Sequence, residues 1–263
     1  MVRAKKSLGQ HFLKDKNIAK KIVDSLDAAT GNILEVGPGT GVLTQFLLQR
    51  PENLKLVEID RESIAFLKDT YSELRDPEPV RDREISLLQE DFLEMELDSL
   101  FGGNSFSVTG NFPYNISSQI FFKIIKYREI IPEVVGMVQK EVAERMASLP
   151  GKKTYGILSV LLQRWYNIEY LFTVDGNVFI PPPKVKSAVI RMTRNERRDM
   201  QCNEELFIKT VKTTFNQRRK TIRNSIKPLL GNRIYDCSFM DLRPEQLTIS
   251  QFIDFTNELE KIL

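Results

Sequence analysis

The sequence has few of the residues that build metal centres and disulfide frameworks. Its 263 residues include two cysteines and one histidine. Cys202 and Cys237 form no CxxC pair, so the pattern predicts neither a zinc site nor a disulfide and is typical of a reducing compartment. We therefore expect a cytoplasmic protein without a metal.

Long apolar runs and a strong charge imbalance are also missing. No stretch approaches the roughly 18 consecutive apolar residues that a transmembrane helix needs, so we expect no membrane partner. The basic N-terminus is not followed by an apolar segment, which argues against a secretory signal. The net charge is only +3, so any nucleic-acid interface has to come from local clusters of cations.

Strand and helix patterns alternate along most of the chain. Short apolar runs that are typical of buried strands occur at residues 32–36, 54–59, 85–88, 106–109 and 133–139. Segments with helical spacing of apolar residues lie between most of them. This alternation predicts an α/β fold with a mostly parallel sheet and helices on both of its faces.

The C-terminal part of the sequence has a different character. A charged, apolar-poor segment at residues 194–199 is followed only by helical patterns, including one at residues 219–229. We therefore predict a first domain at residues 1–196, in which residues 1–28 form an arm and a helix. We predict a small all-helical domain at residues 197–263.

Three successive strand ends carry residues suited to a nucleoside-containing cofactor. Gly37 and Gly39 follow the first strand, where they let the backbone turn tightly and approach a ligand. Glu58 ends the second strand and can accept hydrogen bonds from both ribose hydroxyls. Asp91 follows the third strand and can accept from an adenine amino group. Each of these residues also fits a tight turn or a helix cap, as Asp60 does.

Taken together, these residues fit S-adenosylmethionine. Ligands of open α/β sheets bind beyond the carboxyl ends of the strands, where all of these residues are expected. NAD is the competing cofactor, but no acid–base partner for hydride transfer is apparent, since the single histidine, His11, lies outside the strand series.

The fourth strand is followed by Asn-Phe-Pro-Tyr at residues 111–114. The amide of Asn111, the ring of Pro113 and the ring of Tyr114 suit the gripping of a flat exocyclic amine. Tyr114 can stack on a base, which contributes roughly 1–3 kcal/mol. The same four residues also fit an ordinary turn at the end of a strand.

A basic cluster predicts a contact with RNA phosphates. Residues 218–227 contain no acid and five cations, Arg218, Arg219, Lys220, Arg223 and Lys227. Three of the five recur every four residues, so a continuous helix would carry them on one face. Such a stripe can position RNA without reading its sequence. A solvated helix face is the alternative. Further contacts are expected from Lys5 and Lys6, and from Lys152 and Lys153.

The motifs resemble, in order, those of the ribosomal RNA adenine N6,N6-dimethyltransferases. The matching segments are residues 5–13, 35–41, 58–60, Asp91, residues 111–114 and residues 179–185. The resemblance covers essentially the whole chain and is strongest to the bacterial small-subunit branch, the kasugamycin-resistance methyltransferases. It implies a Rossmann-like, seven-stranded methyltransferase sheet and S-adenosylmethionine as the cofactor.

The resemblance also implies roles for individual residues. The residues that it places against the cofactor are His11, Leu13, Gly37, Gly39, Glu58, Asp91 and Asn111. It gives Asn111 a second contact with the target adenine, and it makes Phe179 the wall of the adenine site opposite Tyr114. A core phenylalanine that anchors the following proline loop is the alternative for Phe179. Many members have Asn at the position of His11 and Leu at the position of Phe112.

The expected activity is the dimethylation of two adjacent adenines in a hairpin loop near the 3′ end of small-subunit rRNA. The resemblance adds a role in small-subunit biogenesis, with the immature subunit as partner and the protein as a monomer. One alternative is a macrolide-resistance-type enzyme that modifies large-subunit rRNA, although residues 181–189 and 242–247 are more similar to the small-subunit branch. The other alternative is a relative that binds RNA or DNA without catalysis.

Overall fold

The computed structural model describes residues 2–75, 83–196 and 199–263. The described strands are β1 (Phe12–Leu13), β2 (Asn32–Val36), β3 (Asn53–Glu58), β4 (Ile85–Gln89), β5 (Ser107–Asn111), β6 (Glu133–Gln139), β7 (Tyr166–Val174), β8 (Phe179–Ile180) and β9 (Ser187–Arg194). The described α-helices are α1 (Lys16–Asp24), α2 (Thr44–Leu47), α3 (Arg61–Thr70), α4 (Ser117–Lys126), α5 (Lys140–Met146), α6 (Ile157–Trp165), α7 (Glu204–Asn216), α8 (Ile222–Ser225), α9 (Lys227–Leu230) and α10 (Ile249–Glu260).

Seven strands form one sheet in the order β4-β3-β2-β5-β6-β9-β7. The pairs among β4, β3, β2, β5 and β6 are parallel, and β9 runs antiparallel to β6. All five residues of β2 are buried, as expected for a parallel strand covered on both faces. The predicted α/β, mostly parallel, seven-stranded sheet is therefore confirmed. Its parallel strands bring their carboxyl ends to one edge.

A second, two-stranded sheet joins the N-terminal arm to the segment before the proline loop. β1 pairs antiparallel with β8, so that Leu13 lies opposite Phe179 and Phe12 lies opposite Ile180. Strands of two residues are too short to show a periodicity, so the sequence does not predict this sheet.

Polar side chains fix the first turns of several helices. Asp15 accepts hydrogen bonds from the backbone N–H groups of Asn17 (2.9 Å) and Ile18 (3.1 Å) at the start of α1. Asn203 caps α7 and Thr248 caps α10 in the same way. Such caps satisfy backbone donors that have no partner within the helix.

The chain forms two compact units whose limits differ from the predicted domains. One unit comprises Met1–Ala143 and Glu169–Arg194, and the other comprises Glu144–Ile168 and Asn195–Leu263. The predicted boundary between residues 196 and 197 falls next to residues 197–198, which lie outside the described residues. In the part that is described, residues 144–168 belong to the second unit rather than the first.

Packing of α6 explains this correction. The ring of Trp165 on α6 lies edge-on to Phe207 of α7, with 6.5 Å between the ring centres. Both side chains are fully buried, so α6 is part of the helical core. Its position in the sequence, between two strands of the sheet, suggested the opposite assignment.

No described helix is both long enough and apolar enough to cross a membrane.

One ring constrains the two central strands of the sheet. Phe112 is fully buried and lies over Gly110 of β5 and Gly136 of β6. A Cβ atom at Gly136 would lie 2.2 Å from Cε2 of Phe112, and the other atoms that it would meet closely belong to the same ring. Glycine at this position is therefore required by the ring, which supplies the three nearest atoms.

We expect Gly136→Ala to lower the free energy of unfolding by about 1–3 kcal/mol, because the added methyl group overpacks the core against Phe112. Phe112→Leu should relieve that clash, so the double variant should lose less stability than the sum of the two single losses. Urea denaturation of the four proteins measures this coupling. Additive losses would show that the ring is not the constraint.

Candidate active site

One cleft lies at the carboxyl edge of the parallel strands, within the first unit. Its lining is drawn from residues 7–13, 35–43, 57–59, 90–93 and 111–116. The sequence-predicted residues that it brings together are His11, Leu13, Gly37, Gly39, Glu58, Asp91, Asn111, Pro113 and Tyr114. The strand-end residues thus meet where the parallel topology predicts.

The glycine loop borders open space on one side and the N-terminal arm on the other. Gly37 (φ +69°) and Gly39 (φ +57°) have left-handed backbone conformations, which favour glycine. Nothing lies within 4 Å of a Cβ atom built on Gly37, whereas one on Gly39 would lie 2.9 Å from the ring of Phe12. The loop therefore leaves room for a ligand beside Gly37 and is covered by the arm at Gly39.

Glu58 ties the end of β3 to the glycine loop. Its Oε2 accepts from the N–H of Gly39 (3.0 Å), and its Oε1 accepts from the N–H groups of Ile59 and Asp60 (2.9 Å each). Burial raises the pKa of Glu58, and these backbone hydrogen bonds only partly oppose that rise. A carboxylate offers about four acceptor positions. As it stands, Glu58 can therefore accept one ribose hydroxyl rather than the two expected from the sequence.

Asp60 is a structural cap that also anchors the arm. It accepts from the N–H of Glu62 (3.4 Å) at the start of α3 and from the hydroxyl of Ser63 (3.0 Å), and it pairs with Lys5. Burial acts to raise the pKa of Asp60, but the hydrogen bonds from Lys5 and Ser63 lower it overall. Lys5 also pairs with Glu62 at 3.0 Å. The expected RNA contact of Lys5 is corrected accordingly, because two carboxylates already neutralise this ammonium group.

Two more acids lie at the cleft. Glu35 is fully buried and accepts a 2.7 Å hydrogen bond from the hydroxyl of Thr44. Burial raises the pKa of Glu35 to about 8. Asp91 lines the cleft and accepts from the N–H of Leu93 (2.8 Å) through Oδ1. Asp91 therefore fits both interpretations of the sequence, since it caps a turn and also lines the cleft in which a ligand could bind.

The amide of Asn111 has a defined orientation. Its Nδ2 donates a 2.9 Å hydrogen bond to the backbone carbonyl of His11, so Oδ1 is the atom left to accept. No described residue donates to this oxygen or to the backbone carbonyl of Phe112. The N–H of Phe112 donates to Met137 (3.0 Å), which joins the segment to β6. Two acceptors that can receive N–H groups are thus adjacent in sequence at the cleft.

Tyr114 presents a neutral aromatic ring to the cleft. Its hydroxyl shares a short hydrogen bond with the buried Ser187, at the start of β9. Burial raises the pKa of Tyr114, and the bond to Ser187 only partly opposes this. The ring of His11 stacks on it, with 5.4 Å between the ring centres. Ser187 was not predicted as a site residue, although its place directly after the proline loop is a signal that could have indicated it.

The structure does not bring Phe179 to the cleft. Phe179 is 1% exposed and packs in the hydrophobic core with Leu13, its partner across the small sheet. Side chains alternate along a strand, so the next residue, Ile180, is the one that faces outward, at 59% exposure. The alternative of a core phenylalanine describes this conformation, and the aromatic wall opposite Tyr114 stays a prediction.

The predicted basic stripe is broken. Thr221 is extended (φ −66°, ψ 161°), so α8 begins after Arg219 and Lys220. Pro228 then lies in the first turn of α9, where its lack of an N–H group prevents one helix from running through. The helix expected at residues 219–229 is therefore wrong, and no single face carries all three cations.

The cations of this segment differ in how free they are. Arg223 pairs with Asp236 (3.0 Å) and Asp241 (3.1 Å), acids that lie too far along the chain to be seen as part of the cluster. Arg218 donates to the carbonyl of Lys152 at 3.3 Å. The side chains that are exposed and have no partner among the described residues are those of Arg219, Lys220 and Lys227.

Metal ligands are not grouped in the described ranges. No set of three or more His, Cys, Asp or Glu residues within residues 2–75, 83–196 and 199–263 is arranged to hold a metal ion. Cys202 and Cys237 are free.

The buried carboxyl of Glu35 generates a prediction about pH. Its pKa lies at about 8 in the folded protein against an ordinary 4.5, so between these values the unfolded chain releases a proton that the folded protein keeps. Stability therefore falls with rising pH in this window, by up to about 1.4 kcal/mol per pH unit. We expect Glu35→Gln to remove this contribution, so that the variant gains stability relative to the unaltered protein from pH 5 to pH 8. Denaturation midpoints across this range measure the effect, and parallel curves would contradict it.

Comparisons with known proteins agree with this geometry. The family model for ribosomal RNA adenine dimethylases matches residues 1–261. The chain is 55% identical over 269 aligned positions to the ribosomal RNA small subunit methyltransferase A of Bacteroides thetaiotaomicron, with 100% of this chain and 96% of that protein covered. It is 51% identical over 261 positions to the protein of the same name from Flavobacterium johnsoniae, covering 98% and 97% of the two chains.

Solved structures share the fold at lower identity. A dimethyladenosine transferase from Plasmodium falciparum superposes with a TM-score of 0.77 at 24% identity, covering 95% of this chain and 98% of that one. The 23S rRNA methyltransferase ErmE gives a TM-score of 0.67 at 22% identity, covering 94% and 99%. With a cofactor cleft, an amide held as an acceptor and a family match along nearly its whole length, the chain belongs to the ribosomal RNA adenine dimethylases.

Proposed function

We propose that this S-adenosylmethionine-dependent enzyme dimethylates N6 of two adjacent adenines in a hairpin loop near the 3′ end of small-subunit rRNA. The observation that carries the proposal is the orientation of Asn111. Its Nδ2 is fixed on the carbonyl of His11, which leaves Oδ1 to accept an N–H from the target. An acceptor at this point suits the N–H donors of an amino group, whereas a carbonyl, which can only accept, would find no partner in Oδ1.

Adenine N6 is a poor nucleophile because its lone pair is delocalised into the ring. Asn111 Oδ1 and the Phe112 carbonyl can accept its two N–H groups, which favours a more tetrahedral nitrogen. Tyr114 stacks on the base and holds it at the cleft. S-adenosylmethionine supplies the electrophilic methyl group. The protein's contribution is then mainly orientation of the nucleophile.

No strong base is required of the protein. The nitrogen becomes acidic once it is methylated, so its proton can pass to water. Tyr114 is held neutral by burial, and Glu58 is engaged with backbone donors. Neither residue is arranged to take that proton. Their roles are stacking and binding.

We assign the cofactor to the glycine loop and the acids around it. Gly37 offers open backbone, Glu58 one acceptor position for the ribose, and Asp91 its second carboxylate oxygen for the adenine. His11 and Leu13 border the cleft from the arm. These residues fit the cofactor, because the space beside Gly37 is free and each acid can still accept a hydrogen bond.

The partner that we propose is the immature small subunit, on which the enzyme acts as a monomer in the cytoplasm. A base paired in a stem is out of reach of the cleft, so the target adenines have to be looped out. We propose that the helical unit binds RNA phosphates through Arg219, Lys220 and Lys227, with Lys152 and Lys153 as further contacts. Lys6, in the first unit, is a separate contact. The helical unit takes the role that was expected of residues 197–263.

The two alternatives are less well supported. Similarity to small-subunit enzymes extends over the full length of the chain, whereas the likeness to ErmE is one of fold. A binder without catalysis would not need the open glycine loop, the buried acids and the oriented amide together.

We expect Asn111→Ala to reduce methyl transfer to small-subunit rRNA by about 100- to 1000-fold, in line with the loss of one oriented transition-state hydrogen bond. The sheet and its helices should stay folded, since Asn111 is partly exposed, and the structural loss should be confined to the bond between Asn111 and the arm. The measurement is formation of N6,N6-dimethyladenosine on an immature small subunit, with large-subunit rRNA assayed in parallel.

Asn104→Ala is the matched control, because this side chain bonds only within its own turn, to the Phe101 carbonyl at 3.0 Å. Undiminished transfer by the Asn111 variant would overturn the mechanism. Transfer to large-subunit rRNA instead would overturn the substrate. A folded protein that binds S-adenosylmethionine and makes no dimethyladenosine on either RNA would overturn the proposed function.

The free cations of the helical unit give a salt-dependent prediction. Each phosphate contact contributes about 0.7–0.9 to the slope of log affinity against log salt concentration. We expect Arg219→Ala/Lys220→Ala to lower the magnitude of that slope for small-subunit rRNA by between about one and two. Affinity measured at several salt concentrations provides the slope.

Arg223→Ala serves as the comparison from the same cluster. Its guanidinium already pairs with two aspartates, so its removal should change the slope less than the double variant does. A larger change for Arg223 than for Arg219 and Lys220 together would contradict this assignment.

A further inference from the structure

The loop that presents Asp91 to the cleft is held by a lysine that does not itself line the cleft. The Nζ of Lys123, on α4, donates to the backbone carbonyl of Leu93 at 3.0 Å and also to that of Met95. Among the residues that the structure describes, no other group donates to these two carbonyls. Lys123 is half-buried and Met95 is buried, so one ammonium group is the protein's donor for both carbonyls.

The N–H groups of the same loop are bound by Asp91. Its Oδ1 accepts from the N–H of Leu93 (2.8 Å), and its backbone carbonyl accepts from the N–H groups of Glu94 (3.0 Å) and Met95 (3.1 Å). The N–H groups of this turn thus bond to Asp91, while its carbonyls bond to Lys123. Both sets of bonds share the peptides of residues 91–95, so a shift of the carbonyls moves Asp91 as well.

Two aromatic rings enclose the ammonium group of Lys123. Phe92 is buried and lines the cleft, and the Nζ of Lys123 lies 5.4 Å from the centre of its ring. The centre of the Tyr127 ring lies 5.7 Å from the same atom, so both rings are within range of a cation–π contact. Burial lowers the pKa of Lys123, and nearby carboxylates, that of Glu96 first, only partly oppose this. Hydrogen bonds made in such partly desolvated surroundings are stronger than in water.

Helix α4 joins this loop to the target side of the cleft. The helix begins at Ser117, directly after the segment that contains Asn111 and Tyr114, and Ile116 at its N-cap lines the cleft. Lys123 lies about two turns further along the helix. The lysine therefore fixes the loop of Asp91 to the helix that continues from the amine-binding segment.

We infer that Lys123 is a positioning residue for the adenine end of the cofactor: by holding the carbonyls of Leu93 and Met95, it keeps the carboxyl of Asp91 where it can accept from the adenine amino group. The inference rests on the proposed function, because it takes Asp91 as the adenine acceptor. It makes a residue outside the cleft a determinant of which base the cofactor site accepts.

The test compares two ligands that differ only in the edge of the base that Asp91 recognises. S-adenosylhomocysteine carries the amino group of adenine, whereas S-inosylhomocysteine has a carbonyl in its place. Isothermal titration calorimetry gives the Kd of both ligands for the unaltered protein, Lys123→Met, Lys123→Arg and Lys126→Met. Methionine keeps the apolar stem without its donors, and arginine keeps the donors. Lys126 is the matched control, an exposed lysine at the end of the same helix that contacts Tyr127 and Glu96.

We expect Lys123→Met to weaken binding of S-adenosylhomocysteine by about 10-fold, the effect of losing one hydrogen bond to a charged group, and binding of S-inosylhomocysteine by less than about twofold. Lys123→Arg should keep most of the preference for the adenine ligand, and Lys126→Met should match the unaltered protein. In methyl transfer, Lys123→Met should raise the KM for S-adenosylmethionine and leave kcat within about twofold, because Asn111 is not disturbed.

Two results would overturn the inference alone. One is an unchanged affinity of Lys123→Met for S-adenosylhomocysteine. The other is an equal loss of affinity for both ligands, which would make Lys123 a general support of the fold. Lys123→Gln, which keeps a polar tip at this position, gives the same comparison if the methionine variant does not fold.

Failure of the proposed function gives a different result. An unaltered protein that binds both ligands equally would overturn the assignment of Asp91 to the adenine, and the inference with it. Absence of methyl transfer by the unaltered protein would overturn the proposed activity, while the binding data for the two ligands still decide the inference.

Discussion

The hydrogen bond from Asn111 Nδ2 to the backbone carbonyl of His11 decides what the cleft can do. An asparagine amide has a donor end and an acceptor end, and a free amide could present either one to a ligand. Here the donor end is occupied at 2.9 Å by a carbonyl, which can only accept. This contact uses one of the two N–H groups of the amide, and Oδ1 accepts from no described residue, so the amide offers an acceptor at the cleft. The same bond ties the N-terminal arm to the end of β5, so the arm and the amide are ordered together.

The acids around the cleft show how environment divides similar groups into different tasks. Glu58 is occupied by three backbone donors and shapes the glycine loop. Asp60 caps a helix and pairs with Lys5. These contacts keep the pKa of Asp60 low despite its burial. Glu35 has one hydroxyl donor, and burial raises its pKa to about 8. The number and charge of the donors around each carboxyl thus decide whether it lines the ligand site, anchors the arm or packs in the interior.

Much of the fold and the cofactor side of the site could be predicted from the sequence. Buried parallel strands such as β2 are short, mostly apolar runs. Parallel pairing brings their carboxyl ends together independently of the sequence of the loops between them. The prediction of one helix at residues 219–229 was wrong, and the core position of Phe179 was predicted only as an alternative, for a shared reason. Each depended on partners distant in sequence or on a local backbone break: Leu13 across a two-residue strand, and the extended Thr221 before α8.

The assignment of residues 144–168 to the second unit has the same origin. The position of α6 between two strands of the sheet predicted that it packs on the sheet. The ring contact of Trp165 with Phe207 places it in the helical core instead. Periodicity reports which face of an element is apolar, but it does not report which other element covers that face. The acids that neutralise Arg223 were hidden from the sequence in the same way.

The most direct test of the account is a crystal structure of the protein with S-adenosylhomocysteine and a small-subunit rRNA fragment that contains the target adenines. We expect N6 of the adenine within hydrogen-bond distance of Asn111 Oδ1 and of the Phe112 carbonyl, with Asn111 Nδ2 still on the carbonyl of His11. An adenine bound elsewhere, or an Asn111 amide that has turned its nitrogen towards N6, would contradict the account.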